Sequence, residues 1–236
     1  MDRTFVHDLN NILTVLRGNI SLLKFYNEKE EYNNFTRLIG TIEMQMTKVE
    51  QFIETYTCKY REKNNGNREY TRIDSFIEEF LFYKELICSL KENIHIDIII
   101  KQNSYFKISS FCLYRIVINI VKNSVEAIDG NAGEIKIIFD VETVKNKYCS
   151  TCKQPIKGTY GTCTIENTGR EIDNIESIFK ENYTTKGNGR GLGLYIVKYL
   201  THENSGHILV ENKNPGVRFK LYFPYENNGD ICSCEK

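Results

Sequence analysis

Apolar residues repeat along this chain at two different periods, and the change from one to the other divides the sequence in two. From Phe5 to about Phe25 they fall at helical spacing (Phe5, Leu9, Ile12, Leu16, Ile20, Leu23). A second, near-heptad series follows from Phe35 through Leu38, Ile42, Met46, Val49, Ile53 and Tyr56. These series predict two amphipathic helices. The polar stretch NEKEEYNN between them is short enough for an antiparallel hairpin. Two helices alone bury little apolar area, so the stripes imply a dimeric four-helix bundle, with a second copy of the chain as partner.

A polar, glycine-containing run, REKNNGNREY, interrupts this pattern as an interdomain linker would. Beyond it the sequence predicts a helix from Ile73 to about Lys91, a strand HIDIII, a helix from about Ser110 to Ile128 and a strand IKIIFDVETV. A cysteine-bearing loop, a strand TCTIEN, a flexible segment, a helix from about Gly191 to Thr201 and two closing strands, HILVEN and FKLYFP, complete the series. Helices and a mixed sheet in this order predict a two-layer α/β sandwich following the hairpin. The expected boundaries are 1–62 for the hairpin, 63–69 for the linker, 70–225 for the sandwich and 226–236 for a cysteine-containing tail.

Charge suggests no polyanion as partner. The 31 basic residues balance the 31 acidic ones, leaving no field that would draw the chain to nucleic acid or an anionic membrane. No stretch approaches the ~20 consecutive apolar residues of a membrane helix, and MDRTFVHDLN lacks the basic start and apolar run of a signal peptide. The expected location is the cytoplasm, without direct membrane insertion.

The most specific chemical signal is KGNGRGLGL, from Lys186 through Gly189, Gly191, Leu192 and Gly193 to Leu194, where an irregular segment meets a helix. Glycines there let backbone N–H groups approach phosphate oxygens, and the helix N-terminus adds free donors and a favourable dipole. A flexible hinge is the alternative use of such a loop. Upstream, Asn119 and Asn123 stand four apart in NIVKNSVEAI, which puts both amides on one helix face. An amide oxygen can complete the octahedron of a magnesium ion otherwise held by phosphates and water; two solvated amides are the alternative.

Eight cysteines pose a separate question. Cys149 and Cys152 have knuckle-like spacing in a loop between strands, and the tail carries Cys232 and Cys234. Four thiolates from these pairs would make a structural zinc site, if the last strand ends at the sheet edge beside the cysteine loop. Free thiols in a loop and a tail, or a CxxC redox pair, are the alternatives. Cys58, Cys88 and Cys112 sit in helical patterns as core residues.

These elements occur in the order used by the two-component sensor histidine kinases. NIVKNSVEAI resembles the asparagine box of that family, IENTGREI its first glycine box, IFKENYTTK its phenylalanine box, GRGLGL its second glycine box and NPGVRFKLYFP its closing strands. Upstream, FVHDLNNILTVLRGNISLL resembles the phospho-acceptor helix. The resemblance implies a sandwich of the GHKL ATPase type binding ATP and magnesium, preceded by a dimerisation and histidine phosphotransfer hairpin. It implies that His7 attacks the γ-phosphate, that Asp8 orients the ring or accepts its proton, and that Asn11 aligns a water for dephosphorylating a response regulator receiver domain. Asn123 would hold magnesium, with Asn119 beside it; the glycine loop would cradle phosphates, and Lys186 and Lys122 would neutralise developing charge.

The chain departs from the family at the adenine end. Asn167 stands where the first glycine box, aligned on Gly169, supplies an aspartate, and Glu171 replaces its second glycine. Val217 stands at a frequent threonine, and Asn182 at a usual phenylalanine. A neutral amide oxygen can accept from the adenine amino group, though less strongly than a carboxylate. The expected outcome is an active kinase of reduced nucleotide affinity, the alternative a degenerate core acting as phosphotransferase, phosphatase or docking scaffold. With six residues ahead of His7, the input is expected from a partner, an upstream segment or the cysteine loop.

Overall fold

A computed structural model of the chain describes residues 3–28, 38–39, 41–42, 70–90, 93–130, 132–180, 183 and 193–227. The chain falls into two compact units. In the first, the helical stripe from Phe5 onward forms helix α1 (Arg3–Glu28). Leu16 and Leu23 on this helix are half-buried, while Val15, Ile20, Leu22 and Phe25 remain exposed in the single chain. Short helical stretches at 38–39 and 41–42 fall within the second expected helix, most of which lies outside the described residues.

The second unit is the α/β sandwich. In chain order it comprises β1 (Thr71–Arg72), α2 (Ile73–Leu90), β2 (Ile94–Ile100), β3 (Tyr105–Phe106), α3 (Ser110–Ile128), β4 (Gly133–Tyr148) and β5 (Pro155–Asn167). After a gap in the described residues come α4 (Gly193–Glu203), β6 (His207–Asn212), β7 (Val217–Phe223) and β8 (Tyr225–Glu226). Five strands form one mixed sheet in the order β2-β4-β5-β7-β6, parallel between β2 and β4 and antiparallel elsewhere. A small sheet, β1-β3-β8, joins the start of the unit to its end.

The helices pack on one face of the large sheet because alternate strand residues are apolar there. Ile135, Ile137 and Phe139 of β4, Cys163 and Ile165 of β5, and Phe219 and Leu221 of β7 are all buried. They meet Leu113, Ile116, Val117, Ile120 and Val121 of α3, whose buried positions follow the helical period. Ser109 caps α3 by accepting from the Cys112 N–H at 3.3 Å, and Asp129 ends it in the left-handed conformation. On the opposite face the same alternation places charges in register: Arg218 lies between Glu166 and Glu211 and pairs with both, and Lys220 pairs with Glu142.

β7, the closing strand FKLYFP, inserts between β5 and β6, antiparallel to both, so β6 is the edge strand, and β7 ends on the side of the sheet where the cysteine loop lies, as expected. β5 and β6 run parallel, as expected, because a helical crossover returns the chain in the same direction. The hairpin of β4 and β5 is longer than its apolar runs: residues 140–148 and 155–160 extend past the neighbouring strands as a two-stranded arm. Its register slips between Val144 and Lys147, and such a bulge bends a strand pair.

Phe139 anchors the core between the Phe76 and Phe106 rings, at centroid distances of 5.9 and 6.1 Å. Phe139→Ala is expected to cost about 3–5 kcal/mol of stability, read as a lower urea midpoint with an unchanged slope.

Candidate functional site

The core face of α3 determines where its other face points. With Val117, Ile120, Val121 and Ser124 buried, Asn119 and Asn123 come to the helix flank, both half-buried, and Lys122 is exposed. The Asn119 amide donates to the Arg115 carbonyl at 2.7 Å, which orients the side chain along the helix. Its oxygen then faces the first residue of α4. A Cβ at Gly193 would lie 3.1 Å from Asn119 Oδ1 and 3.9 Å from Asn123 Nδ2. Glycine is what lets the start of α4 settle onto the amide pair.

The two asparagines and Gly193, far apart in sequence, therefore converge. A helix N-terminus beside two amides offers free N–H donors together with neutral oxygen ligands. That chemistry suits an anion carrying a hard cation, so the residues present fit a magnesium-bound polyphosphate. Lys186, Gly189, Gly191 and Leu192 lie outside the described residues.

At the end of β5, Asn167 is buried and both ends of its amide are in use. Its Nδ2 donates to Ser124 Oγ at 3.0 Å and its oxygen accepts from the Gly169 N–H at 2.9 Å. Ser124 in turn donates to the Ile120 carbonyl at 2.9 Å. Asn167 thus bridges the sheet and α3 as well as facing Val217, its buried partner across the strands. Gly169 is held where a side chain would strike the end of α3: a Cβ there would come 2.7 Å from the Ala127 carbonyl carbon. The segment that follows is clamped by Asn212, which accepts from the Ile172 N–H at 3.0 Å and donates to its carbonyl at 2.9 Å. Phe179 is buried beyond it.

His7, Asp8 and Asn11 lie on α1, in the other unit. Spaced 7, 8 and 11 along an α-helix, His7 and Asn11 share one face.

At the opposite end of the sheet the arm's tip meets α4 and β6. Among the described residues, Cys149 and Cys152 are joined there by His202 of α4 and His207 of β6, with their donor atoms all within 4.8 Å of one another. Cys232 and Cys234 lie outside the described residues. Burial opposes ionisation of the Cys149 thiol, yet its polar neighbours, the His202 ring, the Cys152 and Ile208 backbone and the Thr151 side chain, outweigh it and hold the group well below the usual thiol range. Buried Cys163, in an apolar setting, is shifted strongly upward. Cys112 is buried in the core, as expected. Sequence reasoning missed Ser124, Asn212 and the two histidines. For the histidines a signal was present, since C-x2-C followed by H-x4-H is a zinc-type ligand spacing.

Comparison with known proteins agrees with this geometry. Residues 110–227 match the family described as histidine kinase-, DNA gyrase B-, and HSP90-like ATPase. The sensor histidine kinase ZraS of Escherichia coli O157:H7 is 29% identical over 113 residues, 48% of this chain and 22% of that protein. Sporulation kinase E of Bacillus subtilis is 24% identical over 249 residues, covering 95% of this chain and 28% of the relative. The chain thus spans about a quarter of the length of these curated relatives. The solved structure of the Acinetobacter baumannii histidine kinase AdeS shares the fold at a TM-score of 0.59 and 18% identity, over 94% of this chain and 98% of that one.

Ser124→Ala would strand the buried Asn167 Nδ2 without its acceptor. The expected loss is about 1–3 kcal/mol, measured by thermal or urea unfolding, whereas Lys122→Ala, on the exposed flank, is expected to change stability by less than about 0.5 kcal/mol.

Proposed function

The chain belongs to the histidine kinase-, DNA gyrase B- and HSP90-like ATPase family, and on that premise we propose that it is the catalytic core of a sensor histidine kinase, which phosphorylates His7 with ATP and passes the phosphoryl group to an aspartate on a response regulator receiver domain. The observation that carries this reading is the seat of Gly193 on Asn119 and Asn123, which brings a helix N-terminus and two amide ligands to one place. Residues 1–62 act as the dimerisation and phosphotransfer hairpin and 70–225 as the ATP-binding domain, joined by the 63–69 linker and followed by the 226–236 tail. The apolar residues left exposed on α1 support a dimeric four-helix bundle. A cytoplasmic location fits the finding that no helix among the described residues is long and apolar enough to cross a membrane.

In this reading Asn123, with Asn119 beside it, holds the magnesium that accompanies ATP. When bound, the ion neutralises charge on the phosphates. Gly189, Gly191, Leu192 and Gly193 present backbone donors to the phosphate chain, and Lys186 and Lys122 add positive charge. A neutral His7 ring nitrogen forms the new bond to the γ-phosphorus as the bond to the β-phosphate oxygen breaks. ADP leaves with that electron pair, and the ring proton passes to Asp8 or to solvent. Asn11 positions a water for hydrolysis of the regulator's phosphoaspartate.

Asn167 has a double duty here. Its oxygen, already accepting from Gly169, has a second lone pair for the adenine amino group. Gly169 keeps the backbone close to the end of α3 beside it.

Incubation with γ-labelled ATP and magnesium is expected to give acid-labile, alkali-stable label that is absent in His7→Ala. Label surviving that change would refute the acceptor, and no label in the unaltered chain would refute the kinase. Asn123→Ala is expected to lower the labelling rate roughly 100-fold or more, in the range of losing one transition-state ligand. Asn167→Asp is expected to tighten ATP binding while lowering the unfolding midpoint, because a carboxylate cannot donate to Ser124; weaker or unchanged ATP binding would remove Asn167 from the adenine site.

A further inference from the structure

The arm of β4 and β5 is a poor candidate for independent stability. Over residues 140–148 and 155–160 its strands pair only with each other among the described residues, and an isolated two-stranded ribbon is marginal in water. Its small core consists of Val144, Ile156 and the body of Cys149. Yet its tip is attached to the far edge of the sheet. The Ser150 N–H donates to the Ile208 carbonyl at 2.7 Å, the Val210 N–H donates to Ser150 Oγ at 2.9 Å, and the Ile208 N–H donates to Cys149 Sγ at 3.4 Å. The tip is itself a tight knuckle: the Lys153 N–H returns to the Cys149 carbonyl at 3.1 Å, with Lys153 in the left-handed conformation at φ 60°.

This arrangement faces two thiols with two imidazoles. Cys152 Sγ lies 3.9 Å from His207 Nδ1. His202 is oriented by its other nitrogen, because Nδ1 donates to the Gly206 carbonyl at 3.0 Å and so leaves the Nε2 lone pair directed at the cysteine loop. There it accepts from the Thr151 hydroxyl at 2.6 Å, whose oxygen is also 3.2 Å from Cys149 Sγ. The Tyr160 ring packs edge-on against His207 at 6.1 Å and limits its movement. An imidazole fixed through a backbone carbonyl and a sulfur accepting a backbone N–H are the outer contacts that metal ligands require.

We propose that Cys149, Cys152, His202 and His207 form a structural zinc site that clasps the arm to the last turn of α4 and the first residue of β6. Two thiolates and two imidazoles, with no carboxylate among them, select zinc over magnesium or calcium. Four protein donors leave no open position, so the role is structural. A tetrahedral zinc ion at about 2.0–2.3 Å from its ligands needs donors roughly 3.3–3.8 Å apart. The 4.8 Å limit observed for the cluster is therefore closed by side-chain shifts of about 1 Å. Those shifts take the Nε2 lone pair of His202 from the Thr151 hydroxyl, and thiol protons leave to solvent as the sulfurs bind.

The site stands apart from the proposed kinase chemistry. The 11 residues of α4 separate His202 from Gly193 by roughly 14 Å along the helix axis. Zinc at one end would hold the helix whose other end rests on the asparagine pair.

The experiment is metal analysis of the whole chain purified under reducing conditions without added metal. About one zinc per chain is expected, with affinity in a chelator competition falling roughly 100-fold or more in Cys152→Ser and in His207→Ala. His95→Ala and the double variant Cys232→Ser, Cys234→Ser are expected to retain full zinc. Cobalt substituted for zinc should give the strong visible bands of a tetrahedral ion with thiolate charge transfer. Thr151→Val separates this site from a mere hydrogen-bonded cluster: it is expected to keep or tighten zinc. In case the ligand variants fail to fold, zinc removal and readdition to the unaltered chain should lower and restore its unfolding temperature. No metal in the reduced protein, a Cys149–Cys152 disulfide in its place, or zinc lost with the tail cysteines would each overturn the assignment.

Discussion

The rotation of helix α3 about its own axis is the constraint on which both fold and site rest. Leu113, Ile116, Val117, Ile120 and Val121 must all reach the sheet, and at 3.6 residues per turn only one rotation buries them together. That rotation leaves Asn119 and Asn123 on the flank where α4 arrives. Gly193, lacking a side chain, permits the close approach. Core packing thus orients the polar ligands, and the hydrogen bond from Asn119 to the Arg115 carbonyl refines what burial has already chosen.

The end of β5 shows how a neutral residue suits a crowded place. Asn167 is buried and is asked both to donate and to accept, toward Ser124 and Gly169 respectively. A carboxylate cannot donate, and its charge would carry a desolvation cost at this position. The amide therefore holds the strand end to the helix, at the expense of the stronger bond that a charged oxygen would make to an amino group.

The arm presents the opposite case, a segment whose local energetics do not explain its position. The cross-strand ion pairs around Arg218 and Lys220 are partly solvated and lie mostly along the main sheet, where each contributes little, on the order of 0.2–1 kcal/mol. What carries the arm to β6 is the knuckle at its tip, with backbone bonds at Ser150 and Ile208 and the side chains that meet there. With so few apolar contacts along the ribbon itself, its position rests on these contacts at the tip.

Much of this architecture follows from periods and punctuation in the chain. The helical stripe and the serine at position 109 mark α3, the alternation in IKIIFDVETV and TCTIEN marks β4 and β5, and the spacing of Asn119 and Asn123 places them on one face, because these patterns are local and encode their own geometry. Which strand lies beside which is not local: the insertion of β7 between β5 and β6 comes from the sheet as a whole, and no period records it. The same holds for the histidines. Their spacing was visible, but 50 residues separate Cys152 from His202, and only the curl of the arm onto the edge strand brings them together. The sequence by itself determined the elements and the chemistry each could offer. The tertiary structure alone decided which of those groups meet, since a meeting between distant residues depends on strand order and on the bend of a hairpin.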